Sequence, residues 1–187
     1  MKFKILIQES IALVLFPSSK DLSHLSNLLM LIEKKNLKNL KGLNVSFQFM
    51  KEHAEELTEM ELILYSHLLP IDPKYVICCL EHDASTLYHE YAHAYFYLYE
   101  SYRSSVKEFY NQLPPLVLKS IHSDLKLRGY IQENYIDEFQ AYLLESPADF
   151  GKKHASFLKP IHLALRQLVP RPNLHSFKLA VAFASEP

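Results

Sequence analysis

Glycine is scarce, with 3 in 187 residues. So few permissive backbone positions argue against a loop-rich all-β fold and against a glycine-rich loop cradling phosphate. Cysteine is rarer still, and the 2 present are adjacent, Cys78 and Cys79. Neighbours on a strand point to opposite faces, so a bridge between them is strained and two reduced, buried thiols are expected. That usage fits a reducing, cytoplasmic compartment. No charge sign dominates: 20 Lys and Arg against 21 Asp and Glu leave a formal net charge of -1. Without a basic stripe, nucleic acid is not an expected partner. No apolar run reaches the length of a membrane span, so no membrane partner is expected. The first residues, Met1 to Phe16, superficially resemble a signal peptide. Gln8-Glu9-Ser10 interrupts the apolar run and no small-x-small cleavage site follows, so the stretch reads as structure rather than leader. A Gly-x-Ser-x-Gly elbow is also missing, and neither cysteine has a persuasive histidine partner.

What is present is ample core material. Apolar residues make up 49% of the chain, with 11 Phe and 12 Tyr. The length predicts a single domain over 1–187, with a sheet, a backing helix and a motif helix in 1–102 and a mainly helical part in 103–187. Residues 2–8 and 11–16 read as one or two strands. Pro17-Ser18-Ser19 offers a helix N-cap, and Leu22, Leu25, Leu28, Leu29 and Ile32 recur at helical spacing. One amphipathic helix is therefore expected over 20–41, with Gly42 as its C-cap. Leu43 to Phe49 alternates apolar and polar residues and reads as a strand. A helical turn is expected within 51–60, a strand over 61–65, a turn at Pro70-Ile71-Asp72-Pro73 and a buried strand over 75–80. A helix follows from Asp83 or Ser85 to about Tyr102. Residues 103–130 read as a connector broken by Pro114-Pro115 and Gly129, with a helical piece at 116–128. Helices are expected over 131–145 and 152–169, and an apolar extended tail over 176–184. The fold class is α+β: a mixed sheet packed against a long helix and the motif helix.

The motif is His89-Glu90-Tyr91-Ala92-His93. Two histidines four residues apart project from one helical face, about one turn from each other, at the spacing that lets two imidazoles hold one zinc ion. Glu90 lies between them, placed to act on water at the metal without being a ligand. Leu87, Tyr91, Ala94 and Leu98 form the face turned to the core. Catalytic zinc takes three protein ligands, and His, Asp or Glu would serve as the third. The strongest candidate is Glu138, 45 positions beyond His93 in the stretch Asn134 to Leu144. Ala141, one turn on, is small enough for a close approach between helices. His82, His122, His154 and His175 have no metal spacing, and surface or capping roles are expected for them.

His-Glu-x-x-His followed by Glu138-Phe139-Gln140-Ala141 resembles the gluzincin metallopeptidases, the thermolysin-like branch of the zincins. The Tyr135-x-x-Glu138-x-x-Ala141-Tyr142 form of the second helix is similar to small gluzincins of the lethal-factor and Pro-Pro endopeptidase kind, and to the ImmA/IrrE regulatory peptidases. The resemblance covers roughly residues 43–145 and implies a zincin-like fold. It implies Zn2+ held by His89, His93 and Glu138, Glu90 as general base, and hydrolysis of a peptide or protein substrate. It also implies a donor to the oxyanion. In the lethal-factor-like group a tyrosine stands seven residues before the glutamate ligand; here Ile131 has that place, and Tyr130, one step off, is favoured over Tyr135 and Tyr142. Thermolysin-like enzymes carry an Asp four residues after the glutamate ligand to orient a histidine. Tyr142 stands there instead, so Asp137, Glu145 or a backbone carbonyl must substitute.

These readings converge on a small zinc-dependent endopeptidase or oligopeptidase. Its substrate is expected to lie extended along an edge strand, over 61–66 or 74–80. The alternatives are a catalytically weak or inactive zincin-fold regulatory protein, and a structural helical domain with a chance motif. A latent form is a further expectation, in which Phe177 to Phe183 occupies the cleft as an internal substrate mimic.

Overall fold

Buried strands at both ends of the first ninety residues set the architecture. In the computed structural model, which describes residues 1–33 and 41–184, five strands form one mixed sheet. They are β1 (Lys2–Gln8), β2 (Ile11–Phe16), β3 (Gly42–Ser46), β4 (Tyr75–Leu80) and β5 (Lys178–Ala184), in the order β3-β4-β2-β1-β5. Only β2 and β4 run parallel, as Ile11 pairs with Tyr75 and Phe16 with Leu80; the other neighbours are antiparallel. Every residue of β2 is buried and β4 is buried up to its last residue, which explains their unbroken apolar runs. The class is α+β.

The helices are α1 (Ser19–Leu22), α2 (Ser26–Glu33), α3 (Phe47–Glu52), α4 (Glu59–Leu68), α5 (Ala84–Leu98), α6 (Glu100–Asn111), α7 (Pro115–Leu127), α8 (Tyr135–Glu145) and α9 (Lys152–Leu168). The chain divides into two compact units, one of residues 1–90 with 173–187 and one of residues 91–172. The division falls within α5, which is a single uninterrupted helix.

In the first unit one sheet face carries Phe3, Ile5, Ala12, Val14, Phe16, Leu43, Val45, Val76 and Cys78. These join Leu22, Leu25, Leu28, Met50, Leu64 and Leu68 from the helical segments in one buried cluster. The opposite face carries buried Leu13, Leu15, Ile77 and Cys79, with Gly42 and Asn44 of β3 in register beside them. In the second unit α8 is the central helix. Its Phe139, Ala141, Leu143 and Leu144 are buried, as are Val106 of α6, Ile121 and Leu125 of α7, and Leu158 and Leu165 of α9.

Several expectations need correction. Ser18 does cap α1, accepting from the Asp21 amide at 3.1 Å. The helix expected over 20–41 is split by a 3-10 turn at Ser23–Leu25, where the Ser23 hydroxyl bonds back to the Lys20 carbonyl. Its stretch 34–40 lies outside the described residues, and Gly42 opens a strand instead of closing a helix. The strand expected to Phe49 stops at Ser46, whose hydroxyl caps α3 by accepting from the Phe49 amide. The strand expected over 61–65 is helix. Thr58 and Glu61 form a capping box, a Thr-x-x-Glu signal that outweighs the apolar run after it. Glu61, fully buried, also accepts from the Leu28 amide at 2.5 Å and so ties α4 to α2.

Tyr99 breaks the motif helix earlier than expected, and the supposed connector holds α6, a full helix. The helix expected from Ile131 opens at Tyr135, after a 3-10 turn over Gln132–Asn134. The tail is β5, paired along β1, with Phe183 stacked on Phe3 at 5.0 Å between ring centroids. It is a strand of the sheet, which contradicts its placement as a substrate mimic. Among the described residues, no helix is long and apolar enough to cross a membrane.

Candidate metal centre

The motif helix is anchored at its start. Asp83 is its N-cap: Oδ1 accepts from the Thr86 amide at 3.0 Å and Oδ2 from the Thr86 hydroxyl at 2.7 Å. Burial pushes the Asp83 carboxyl up. The Thr86 hydroxyl and amide, helped by Lys41 and the Ser85 amide, outweigh burial and hold it below the usual carboxylate range. Leu87, Tyr91 and Ala94 are buried, as expected of the core-facing side. His93 is 3% exposed and His89 is half-buried.

α8 brings the third group. Glu138 is 6% exposed, and its Oε1 lies 3.8 Å from Nε2 of His93. One ligand atom each from His89, His93 and Glu138 lies within 4.8 Å of the other two, and among the described residues this is the one group of its kind. Tetrahedral zinc with bonds of about 2.0–2.1 Å sets its ligand atoms about 3.4 Å apart. Two imidazoles and one carboxylate match the donor set of a three-ligand zinc site.

Asp137, the neighbour of Glu138, receives the other nitrogen of His93: Nδ1 lies 2.8 Å from its Oδ1. A carboxylate facing Nδ1 favours the proton there and leaves the lone pair on Nε2, the nitrogen facing Glu138. Asp137 is in turn held by Gln140 Nε2 at 2.9 Å, and Gln140 Oε1 accepts from Tyr102 at 2.7 Å. Gln140 is fully buried and Tyr102 nearly so, making this a fixed chain of hydrogen bonds. Asp137, one of the groups expected to substitute for the acid missing at position 142, thus meets the second motif histidine.

Glu90 is positioned from the sheet. It is 8% exposed. Its Oε2 accepts from Asn44 Nδ2 at 2.5 Å, and Asn44 Oδ1 accepts from the Tyr75 hydroxyl at 2.5 Å. Gly42, on the same face of β3, has no side chain to obstruct it. A Cβ there would stand 2.6 Å from Glu90 Oε1 and 2.5 Å from Thr86 Cγ2.

Tyr130 follows α7, and its hydroxyl lies 3.0 Å from that of Tyr142. Tyr142 is one helical turn beyond Glu138, with the Arg128 guanidinium 4.1 Å over its ring. Burial pushes the Tyr142 phenol up; the Tyr130 and Arg128 hydrogen bonds oppose this, Glu138 adds to it, and the balance is upward. Both cysteines are free and buried. Burial, with the Glu90 charge, pushes the Cys79 thiol up to about 12, and Cys78 is raised by burial, then by Cys79 and Glu90. Neither thiol belongs to the His89, His93 and Glu138 group. His122 pairs with the Tyr110 hydroxyl at 2.7 Å.

Asn44, Tyr75, Gln140 and Tyr102 escaped sequence reading. Asn44 precedes Glu90 by 46 positions and no motif links the two. Its one visible signal is a polar residue on the alternating stretch that became β3. Compared with known proteins, the chain matches no protein-family model, no curated protein and no solved structure.

Proposed function

We propose that this protein is a zinc-dependent peptidase of zincin-like, gluzincin type, with His89, His93 and Glu138 as the metal ligands. The observation that carries the proposal is the convergence of one ligand atom from each of these residues within 4.8 Å. Composition alone would not bring a carboxylate from α8 to a histidine pair on α5. Asp137 strengthens the reading, because ligating histidines need an acceptor on their other nitrogen. Tyr142, where thermolysin-like enzymes carry an orienting Asp, favours the inactive, regulatory alternative; Asp137 at His93 Nδ1 supports the active reading.

Zinc, when bound, lowers the pKa of water from 15.7 toward about 7 and polarises the scissile carbonyl. Glu90 takes the proton of the attacking water and returns it to the leaving amine. The Tyr130 hydroxyl, coupled to Tyr142, is the proposed donor to the developing oxyanion. The substrate is a peptide or protein segment bound in extended form. Neither stretch expected as the edge serves: 61–66 is helical, and β4, within 74–80, lies between two other strands. Among the described residues β3 is the terminal strand of the sheet, and it carries Asn44, which bonds to Glu90. A peptide added along β3 would therefore run beside the general base.

The test is Glu90→Gln. The variant should retain zinc and lose peptide hydrolysis by about 10²–10⁴-fold, the usual contribution of a general base. A zinc-loaded wild type that cuts no member of a broad peptide library would refute the peptidase reading.

A further inference from the structure

We infer that Asn44 is a positioning residue for Glu90, with β3 and Tyr75 of β4 forming a clamp on that carboxylate; this rests on the hydrolase reading above. Three observations from separate parts of the sequence agree. Asn44 Nδ2 donates to Glu90 Oε2 at 2.5 Å. Tyr75, 5% exposed, donates to Asn44 Oδ1 at 2.5 Å. That hydroxyl takes up the amide oxygen and turns the amide nitrogen toward Glu90. The sheet register explains the meeting. Asn44 pairs with Ile77, and Tyr75 is two residues from Ile77 on the same face, a diagonal neighbour within reach of a tyrosine.

The third observation is the glycine. Gly42 lies two residues before Asn44 and so shares its face. Glu90 Oε1 fills the space that a Cβ at position 42 would need. One carboxylate oxygen is therefore engaged by the Asn44 amide and the other sits in a glycine notch, so rotation of the carboxylate is blocked from two sides. An amide donor holds the base without competing for its proton, unlike an acid or an imidazole at the same place. Fixing a proton-transfer group matters because misplacement by about 1 Å can cost about 10²-fold in rate.

The experiment uses the full chain loaded with zinc, assayed on the best-cleaved member of a quenched fluorescent peptide library. Asn44→Leu is expected to bind one zinc per chain, as wild type does. It should lose about 10–100-fold in kcat with little change in KM, and add no further loss in a Glu90→Gln background. Tyr75→Phe should follow the same pattern at about 2–10-fold, the worth of one hydrogen bond, and it keeps the test open should Asn44→Leu fold poorly. A second readout needs no metal. In 15N-labelled apoprotein the Asn44 side-chain amide protons should exchange slowly in wild type and quickly in Glu90→Ala. Equal exchange in the two proteins overturns the clamp. So does full kcat in both Asn44→Leu and Tyr75→Phe while Glu90→Gln is inactive. Wild type that takes up no zinc, or that cuts no peptide, overturns the hydrolase reading and the clamp's purpose with it.

Discussion

Asp137 and Glu138 are adjacent acids with different tasks. On a helix, neighbours point about 100° apart, so Glu138 can face the histidine pair while Asp137 reaches the far nitrogen of His93. In the proposed site the acid that orients the histidine comes from the residue before Glu138, where thermolysin-like enzymes are expected to place it four residues after the glutamate. Its contribution is measurable. Asp137→Asn keeps the shape but no longer favours the Nδ1 proton, and zinc affinity should fall by about 10–100-fold in a chelator-competition titration. An unchanged affinity would show that Asp137 is a bystander. At this scale the candidate cluster was legible, because His89 and His93 obey helical spacing and Glu138 stands on a second apolar helix. The supporting groups were not. Asn44, Tyr75, Gln140 and Tyr102 act through tertiary contacts, and nothing local marks them.

Among the elements, α5 matters most, and its N-cap is acid-sensitive. Asp83 has a carboxyl held below its ordinary value by Thr86 despite the opposing effect of burial. Such a group stabilises the fold above its unfolded pKa of about 3.9, and that stability is lost as pH falls through the lower folded value. The α5 cap is therefore complete at neutral pH and given up below about pH 4. Amide exchange at Thr86 should accelerate there, and Asp83→Ala should abolish that pH dependence at a cost of about 1 kcal/mol. Protection of Thr86 that is indifferent to both changes would contradict the assignment.

β5 yields the second prediction at this scale. Truncation after Val169 removes a strand and exposes Phe3, which is 2% exposed beneath Phe183. The loss should be about 3 kcal/mol or more, on the scale of deleting a buried aromatic, and should show as a lower denaturation midpoint. Peptidase activity should not rise; a faster, folded truncation would restore the idea of a latent tail. Element reading failed where local chemistry had two outcomes. The apolar stretch after Glu61 suits strand or helix, and the capping box decides for helix. The alternation from Leu43 breaks where Ser46 caps the next helix. It succeeded for β2, β4 and α9.

For the whole molecule, the chain divides into one unit of residues 1–90 with 173–187 and one of residues 91–172. The chain leaves the first unit along the motif helix and returns to it at Asn173 to complete the sheet. Only the return was legible in the sequence: Pro170-Arg171-Pro172 marks a break just before Asn173, whereas position 90 lies inside the unbroken pattern of α5.

The most direct test of the account is the zinc content of the intact protein. After equilibrium dialysis against zinc and gel filtration, wild type should hold one zinc per chain by elemental analysis, and His89→Ala and Glu138→Ala should each hold far less. Wild type without zinc, or variants that retain it in full, would contradict the site on which the account rests.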